Sequence, residues 1–229
     1  MTTPTIVYIY PSTAGPQHTA LALRFIETYN VYPPGIDHRT IVVLNGGKPT
    51  TEIKLMFASV RNVTLLEHDD SGWDIGGYQL ASLRFPAEMM VFFGGSTHFL
   101  RQGWLLRMAS VFNQYGPGLY GATANRGDPG VRVEPHIRTT AFWVPSKFMN
   151  EYPMRVIRND QRYPFEHGKG CFTSWIIKKG LKPWLVTWRG VYAWADWDVG
   201  QDGFYGVHRI NRICPNVANL LVGDRLTGT

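Results

Sequence analysis

The chain has 229 residues, 44% apolar and 14% aromatic, with two cysteines and a formal net charge of +6. That composition excludes a disulfide scaffold, a cysteine-rich zinc module and a disordered polymer, and it leaves room for a large core. No run approaches the roughly eighteen apolar residues of a membrane-spanning helix, so no integral membrane segment is expected.

Residues 1–100 carry six Lys/Arg against eight Asp/Glu, whereas residues 101–229 carry seventeen against nine. The basic half can attract phosphate, an anionic membrane surface or nucleic acid, although a solvated basic face accounts for it equally simply. The opening "MTTPTIVYIYPSTAG" reads as a first strand rather than a signal peptide. The expected location is cytoplasmic, with peripheral attachment at a membrane as a variant.

In chain order, "TIVYIY" (5–10) and "TIVVLN" (40–45) are β-branched runs, and "PQHTALALRFIETYN" between them repeats its apolar residues at helical spacing. "NVTLLE" (62–67) is a third strand, followed by the loop "EHDDSGWDIGG" and a helix in "GGYQLASLRF". "EMMVFFGG" (88–95) is almost wholly apolar, as a central parallel strand covered on both faces should be. Strands are expected in "GLYGATA" (118–124), "TTAFWVP" (139–145) and "LKPWLVTW" (181–188), and a helix from Glu166 to Lys179. Strands alternating with helices predict an α/β fold with a mostly parallel central sheet, in a single domain over residues 1–229. The tail "NVANLLVGDRLTGT" is expected to return an apolar segment to the core.

Ligands of open α/β sheets sit at the carboxyl ends of the strands. This singles out Tyr10, Asn45, the 67–78 loop and the turn Gly94, Gly95, Ser96. The loop is neither a P-loop nor a dinucleotide fingerprint, and its acidic residues lack calcium-loop spacing. Asp74 stands ahead of a helix, placed either to bond a ribose or base or simply to cap that helix, with Gly76 allowing close backbone approach. His136 and Arg138 precede an apolar strand and can face a phosphate or sugar; a lone histidine can equally be structural. In "YAWADWDVGQDG", Trp194 and Trp197 can form a sugar-stacking wall, with Asp196, Asp198 and Asp202 binding hydroxyls.

With "GWDIGGYQLA" after the third strand and "FEHGKGCFTSWIIKKGLKP" further on, the chain resembles the GT-A glycosyltransferases, in particular rhamnan-synthesis-like and other small polysaccharide enzymes. The resemblance implies a Rossmann-like GT-A fold with a nucleotide-binding half (1–100) and an acceptor-binding half (101–229). It also implies a nucleotide-sugar donor, a glycan or other hydroxyl acceptor, polysaccharide biosynthesis, and Glu166 as the general base of an inverting transfer. A carboxylate merely favoured at a helix N-terminus is the alternative for Glu166. GT-A enzymes end their central strand in an Asp-x-Asp-like pair that holds a divalent metal, Mn or Mg. Here "VFFGGSTHF" offers no carboxylate, so a metal would have to draw on Asp70, Asp74, His98 or His136, or else backbone N–H groups, Arg and Lys would stabilise the diphosphate. Two other readings stay open: a glycosyltransferase acting on modified nucleic-acid bases, for which the basic and aromatic "MRVIRNDQRYPF" is suited, and a catalytically silent nucleotide-sugar- or carbohydrate-binding module.

Overall fold

The computed structural model describes residues 2–125, 133–197 and 221–223. Four strands, β1 (Thr5–Pro11), β2 (Arg39–Asn45), β3 (Val63–His68) and β4 (Met90–Phe93), alternate with helices α1 (Pro16–Val31), α2 (Thr51–Met56) and α3 (Trp73–Arg84). The chain continues through β5 (His98–Phe99), α4 (Trp104–Tyr115), β6 (Leu119–Gly121), β7 (Ala124–Asn125), β8 (His136–Ile137) and β9 (Ala141–Val144). After α5 (Ser146–Glu151), α6 (Arg162–Glu166) and α7 (Phe172–Lys178) come β10 (Pro183–Val186), β11 (Val191–Ala193) and β12 (Val222–Gly223).

Among the described residues, eight strands form one sheet in the order β3-β2-β1-β4-β9-β6-β10-β11. All neighbours of β1 and β2 pair parallel, whereas β9 runs antiparallel between β4 and β6, and β11 runs antiparallel on β10. The mostly parallel α/β sheet expected from the strand–helix alternation is therefore present. β1 connects outward to β2 and β3, and the chain then returns to place β4 on its other side. The strand order thus reverses between β1 and β4, and a crevice opens at their carboxyl ends.

Alternation along β1 divides the core. Ile6, Tyr8 and Tyr10 face α1 and α4, while Val7 and Ile9 face α3. Both faces are covered, which explains why Met90 to Phe93 can be apolar without interruption. Phe92 stacks on Phe142 at 4.7 Å, and Tyr78 of α3 meets both rings edge-on. Each such fully buried aromatic contributes about 1.5–3 kcal/mol of transfer free energy.

Three glycines seat the start of α3. A Cβ on Gly72 would lie 2.0 Å from the Val156 carbonyl oxygen, and one on Gly76 would lie 1.9 Å from that of Ser71. A Cβ on Gly77 would meet Ile9 and Val43 side chains and the Asn45 amide oxygen. Gly76 is thus closed in by the Ser71 and Val156 carbonyl oxygens, which leave no room for a Cβ.

The helix expected to open at Glu166 is two helices. Glu166 is the last residue of α6, and α7 starts only at Phe172. Gly168 and Gly170 intervene, the latter at φ 81°, a conformation that leaves the right-handed helix. The carboxylate at position 166 consequently gets no support from a helix N-terminus. Helix α4 escaped the sequence reading because it lacks a polar cap: Gly103 at φ 77° precedes it and Gly116 at φ 78° ends it. Part of the predicted tail does return to the core, where Leu221 and Val222 are buried and β12 pairs with β5. Cys171 is buried and unpaired by a disulfide. Among the described residues no helix is long and apolar enough to cross a membrane.

Candidate active site

The register of β1, β2 and β3 brings Pro11, Asn45 and His68 level with one another at the carboxyl edge of the sheet. His68 Nδ1 lies 3.0 Å from Asn45 Oδ1, and the Ser12 amide and hydroxyl both donate to the Asn45 carbonyl. These bonds fix the floor of a cleft of about 330 Å³. Ala14, His18 and Leu21 line it on the α1 side; Asp70, Trp73 and Asp74 line it on the α3 side; Gly95 and Ser96 close it at the end of β4.

Asp74 sits in the first turn of α3, one residue past its start, and not ahead of the helix. Gly72 precedes the helix, so Asp74 is no N-cap; its Oδ1 accepts from the Ile75 amide at 3.0 Å and from Arg162 Nε at 3.1 Å. Burial raises its carboxyl above the ordinary Asp value, Arg162 opposes the rise, and the nearby charge of Glu166 adds to it.

Arg162 and Glu166 stand four apart on α6 and so share one side of it. While Arg162 reaches Asp74, Glu166 Oε1 accepts from the Thr139 amide at 3.3 Å and from the Thr139 hydroxyl at 3.0 Å. Burial alone would raise the Glu166 carboxyl, but Arg138, His136 and the two Thr139 donors outweigh it and hold the group below the ordinary Glu value. The charges of Asp74, Glu166 and Arg162 all reach the buried Tyr78 hydroxyl, which donates to the Thr139 carbonyl at 3.3 Å. Gly94 donates to the Thr140 carbonyl at 2.9 Å. Cleft and carboxylate cluster thus meet where β4 ends.

His136 Nδ1 bonds the Glu134 carbonyl at 2.7 Å, and its ring stacks on His167 at 5.2 Å. Burial pushes His136 down to about 4 and also lowers His167. His136 therefore stays neutral while the unfolded chain takes up a proton below about 6.5. Its contribution to stability is complete above that value and is lost as pH falls toward 4. Wild-type denaturant midpoints are expected to drop across this window. His136→Gln, which does not titrate, should flatten the drop by roughly 3 kcal/mol at most, with the lowered His38, His68 and His167 adding to the drop and the raised Asp74 opposing it. An unchanged slope in unfolding titrations from pH 7 to 4.5 would sink this assignment.

The structure brings Asn45, Asp70, Asp74, Gly95 and Ser96 to one cleft, and Glu166, His136 and Arg138 to the adjoining cluster. It does not bring Tyr10 there: that ring packs edge-on against Phe57, and its hydroxyl lies 3.2 Å from Thr19 Oγ1, on the α1 face. His98 is buried in β5 with its Nε2 2.9 Å from Arg24 and does not line the cleft with Asp70. Trp194 and Asp196 follow β11, whose end lies beside Trp184 near the start of β10. That is the opposite end of the sheet from the cleft. Trp197 is buried, so no two-tryptophan wall forms, and Asp198 and Asp202 lie outside the described residues. Sequence reading missed Arg162, Thr139 and Trp73 as site residues. The basic, aromatic "MRVIRNDQRYPF" contained the first, but nothing local marks its pairing with Asp74 across 88 positions.

Among the described residues, no three acidic, imidazole or thiol groups converge as a metal site. Asp74 Oδ1 is already engaged by Arg162 and Ile75. These residues do not by themselves build a site for the divalent metal that GT-A resemblance implies.

No sequence-family profile matches the chain, and no curated protein is a recognisable sequence relative. Solved structures do share its fold. The mannosyltransferase PcManGT from Pyrobaculum calidifontis, in complex with GDP-Man and Mn2+, is similar with a TM-score of 0.50 and 11% identity over 66% of this chain and 47% of that one. S. aureus TarS 1-349 gives a TM-score of 0.46 and 12% identity over 72% and 54%, and HddC from Yersinia pseudotuberculosis gives 0.44 and 13% over 69% and 83%. This chain spans only 30% of the longer S. aureus TarS structure. The strand order and its crevice, with the likeness to PcManGT, define a GT-A-like fold. The rhamnan-synthesis-like family in particular finds no match.

Proposed function

We propose that the chain is a glycosyltransferase that moves a sugar from a nucleotide-sugar donor to a hydroxyl acceptor, a glycan foremost, with inversion. The observation that carries the reading is the pair of carboxylates, Asp74 and Glu166, flanking the Tyr78 hydroxyl at the β1/β4 switch point and beside a cleft of about 330 Å³. Asn45, Asp74, Gly95 and Ser96 hold the donor nucleotide. Gly94 lies at the seam between cleft and cluster, and Arg138 and His136 attend the transferred sugar. Residues 1–100 thereby supply the donor side and residues 101–229 the acceptor side of a single unit.

Glu166 is the general base. Both Thr139 bonds fall on Oε1, which orients Oε2 as the proton acceptor. As the acceptor oxygen attacks the anomeric carbon, its proton passes to Glu166, and the bond to the donor diphosphate breaks with its electron pair leaving on the nucleotide. The donor is UDP- or GDP-linked in the neighbours TarS and PcManGT, so both nucleotides belong in the test. Incubation with UDP-, GDP- and dTDP-sugars and a panel of glycans, with and without manganese, should release nucleoside diphosphate and extend an acceptor. Pyrophosphate release from a nucleoside triphosphate plus sugar 1-phosphate would instead mark a nucleotidyltransferase. Sugar binding without turnover of any donor would mark a silent module, and transfer only to modified DNA bases would move the acceptor class.

A further inference from the structure

Trp73 is placed at a cost. Three residues of one short loop, Asp70 at φ 68°, Gly72 at φ 71° and Trp73 at φ 54°, adopt left-handed backbone. Glycine enters that region freely, but a bulky aromatic is a true outlier there. The ring is also poorly rewarded by burial, since 48% of Trp73 remains exposed. A strained conformation that also exposes the largest apolar side chain is maintained by its surroundings and not by its own packing.

Those surroundings are specific. The Arg162 guanidinium lies over the indole at 4.7 Å from its centroid, and the same Arg162 is tied through Nε to Asp74. One indole face is thereby covered, and the ring is held at the wall of the cleft, across from His18 and Leu21 of α1. Polar groups for the edges of a planar ligand, Asn45 and Asp70, line the same cleft. A slot with a fixed aromatic face, an α1 wall of Ala14, Leu21 and the His18 ring, and hydrogen-bonding groups at its rim suits a flat heterocycle better than a puckered sugar.

We propose that Trp73 is the stacking platform for the nucleobase of a nucleoside diphosphate bound in this cleft. The proposal rests on the donor-cleft reading given above and adds the residue that grips the base. Stacking of one base on an aromatic side chain corresponds to about a ten- to hundredfold change in affinity. It is sequence-tolerant, so Trp73 contributes to affinity for uridine and guanosine nucleotides alike.

Calorimetric titration of the full chain with UDP, GDP and inorganic pyrophosphate tests it, using wild type, Trp73→Gly and Trp73→Phe. Trp73→Gly should weaken UDP or GDP about ten- to hundredfold, leave pyrophosphate unaffected, and not lower Tm, because glycine adopts φ 54° without strain. Trp73→Phe should recover most of the affinity. Unchanged nucleotide affinity in Trp73→Gly, with a raised acceptor KM instead, overturns the proposal in favour of acceptor stacking. Equal loss for pyrophosphate overturns it in favour of a loop-holding role. If wild type itself binds neither nucleotide, the donor-cleft reading fails and this proposal fails with it.

Discussion

On the proposed transferase reading, Glu166→Gln is expected to lower the rate of sugar transfer by about a hundred- to ten-thousandfold, the usual contribution of a positioned general base, and to leave donor affinity nearly unchanged. The amide is isosteric, and its Oε1 can still accept from the Thr139 amide and hydroxyl, which now sit at 3.3 and 3.0 Å. What it loses is the ability to take a proton. Initial rates of nucleoside diphosphate release in the presence of acceptor, set beside calorimetric Kd values for the donor, separate the two effects. Retained rate in this variant would reduce Glu166 to an anchor for Thr139.

The environment of Glu166 adds a pH dependence. Because Arg138, His136 and Thr139 overcome the effect of burial and hold the carboxyl below its ordinary value, the acid limb of kcat/KM should lie below the usual Glu range. For stability the sign is the same: a depressed carboxyl contributes above its unfolded pKa, and the contribution is lost as pH falls through the folded value. A base held in its ionised form is a weaker one in Brønsted terms, so on the proposed reading Glu166 must combine proton acceptance with a fixed orientation toward the acceptor hydroxyl.

Much of the sheet was legible because its strands are short, β-branched and bounded by turn residues. "TIVYIY" and "TIVVLN" need only local preference and period-two facing to be read, and "MVFF" declares itself central by having no polar face. Other features depended on information that no short window holds. Tyr10 stands one residue before the carboxyl end of β1, yet the facing set by Ile9 turns its ring to the opposite side of the sheet. The break between α6 and α7 follows from Gly168 and Gly170, two residues a periodic reading passes over when the apolar spacing continues beyond them. The Asp74–Arg162 pair joins positions far apart in sequence, so only the folded chain reveals that the acidic loop after β3 is held by α6.

That pair supports the second large expected effect: Asp74→Asn abolishes measurable donor binding while Tm at pH 7 stays at or above the wild-type value. Were Asp74 present for stability, its surroundings would favour the ionised form. They do not, since burial with the Glu166 charge outweighs Arg162 and the carboxyl is raised. A carboxyl whose folded pKa lies above its unfolded one loses stability as pH rises through that interval, so the ionised Asp74 is a net cost at pH 7. Asparagine removes the charge and keeps an oxygen for the Ile75 amide and for Arg162 Nε, the two bonds now made by Oδ1. Asp74→Ala removes that oxygen as well and leaves the guanidinium without it, which should cost about 1–3 kcal/mol of stability besides donor binding. Thermal melts and donor titrations on both variants decide the matter. A lowered Tm in Asp74→Asn with donor affinity intact would make Asp74 a fastener between α3 and α6, whereas a stable fold that no longer holds the donor identifies a charge kept in place for the ligand at the expense of the fold.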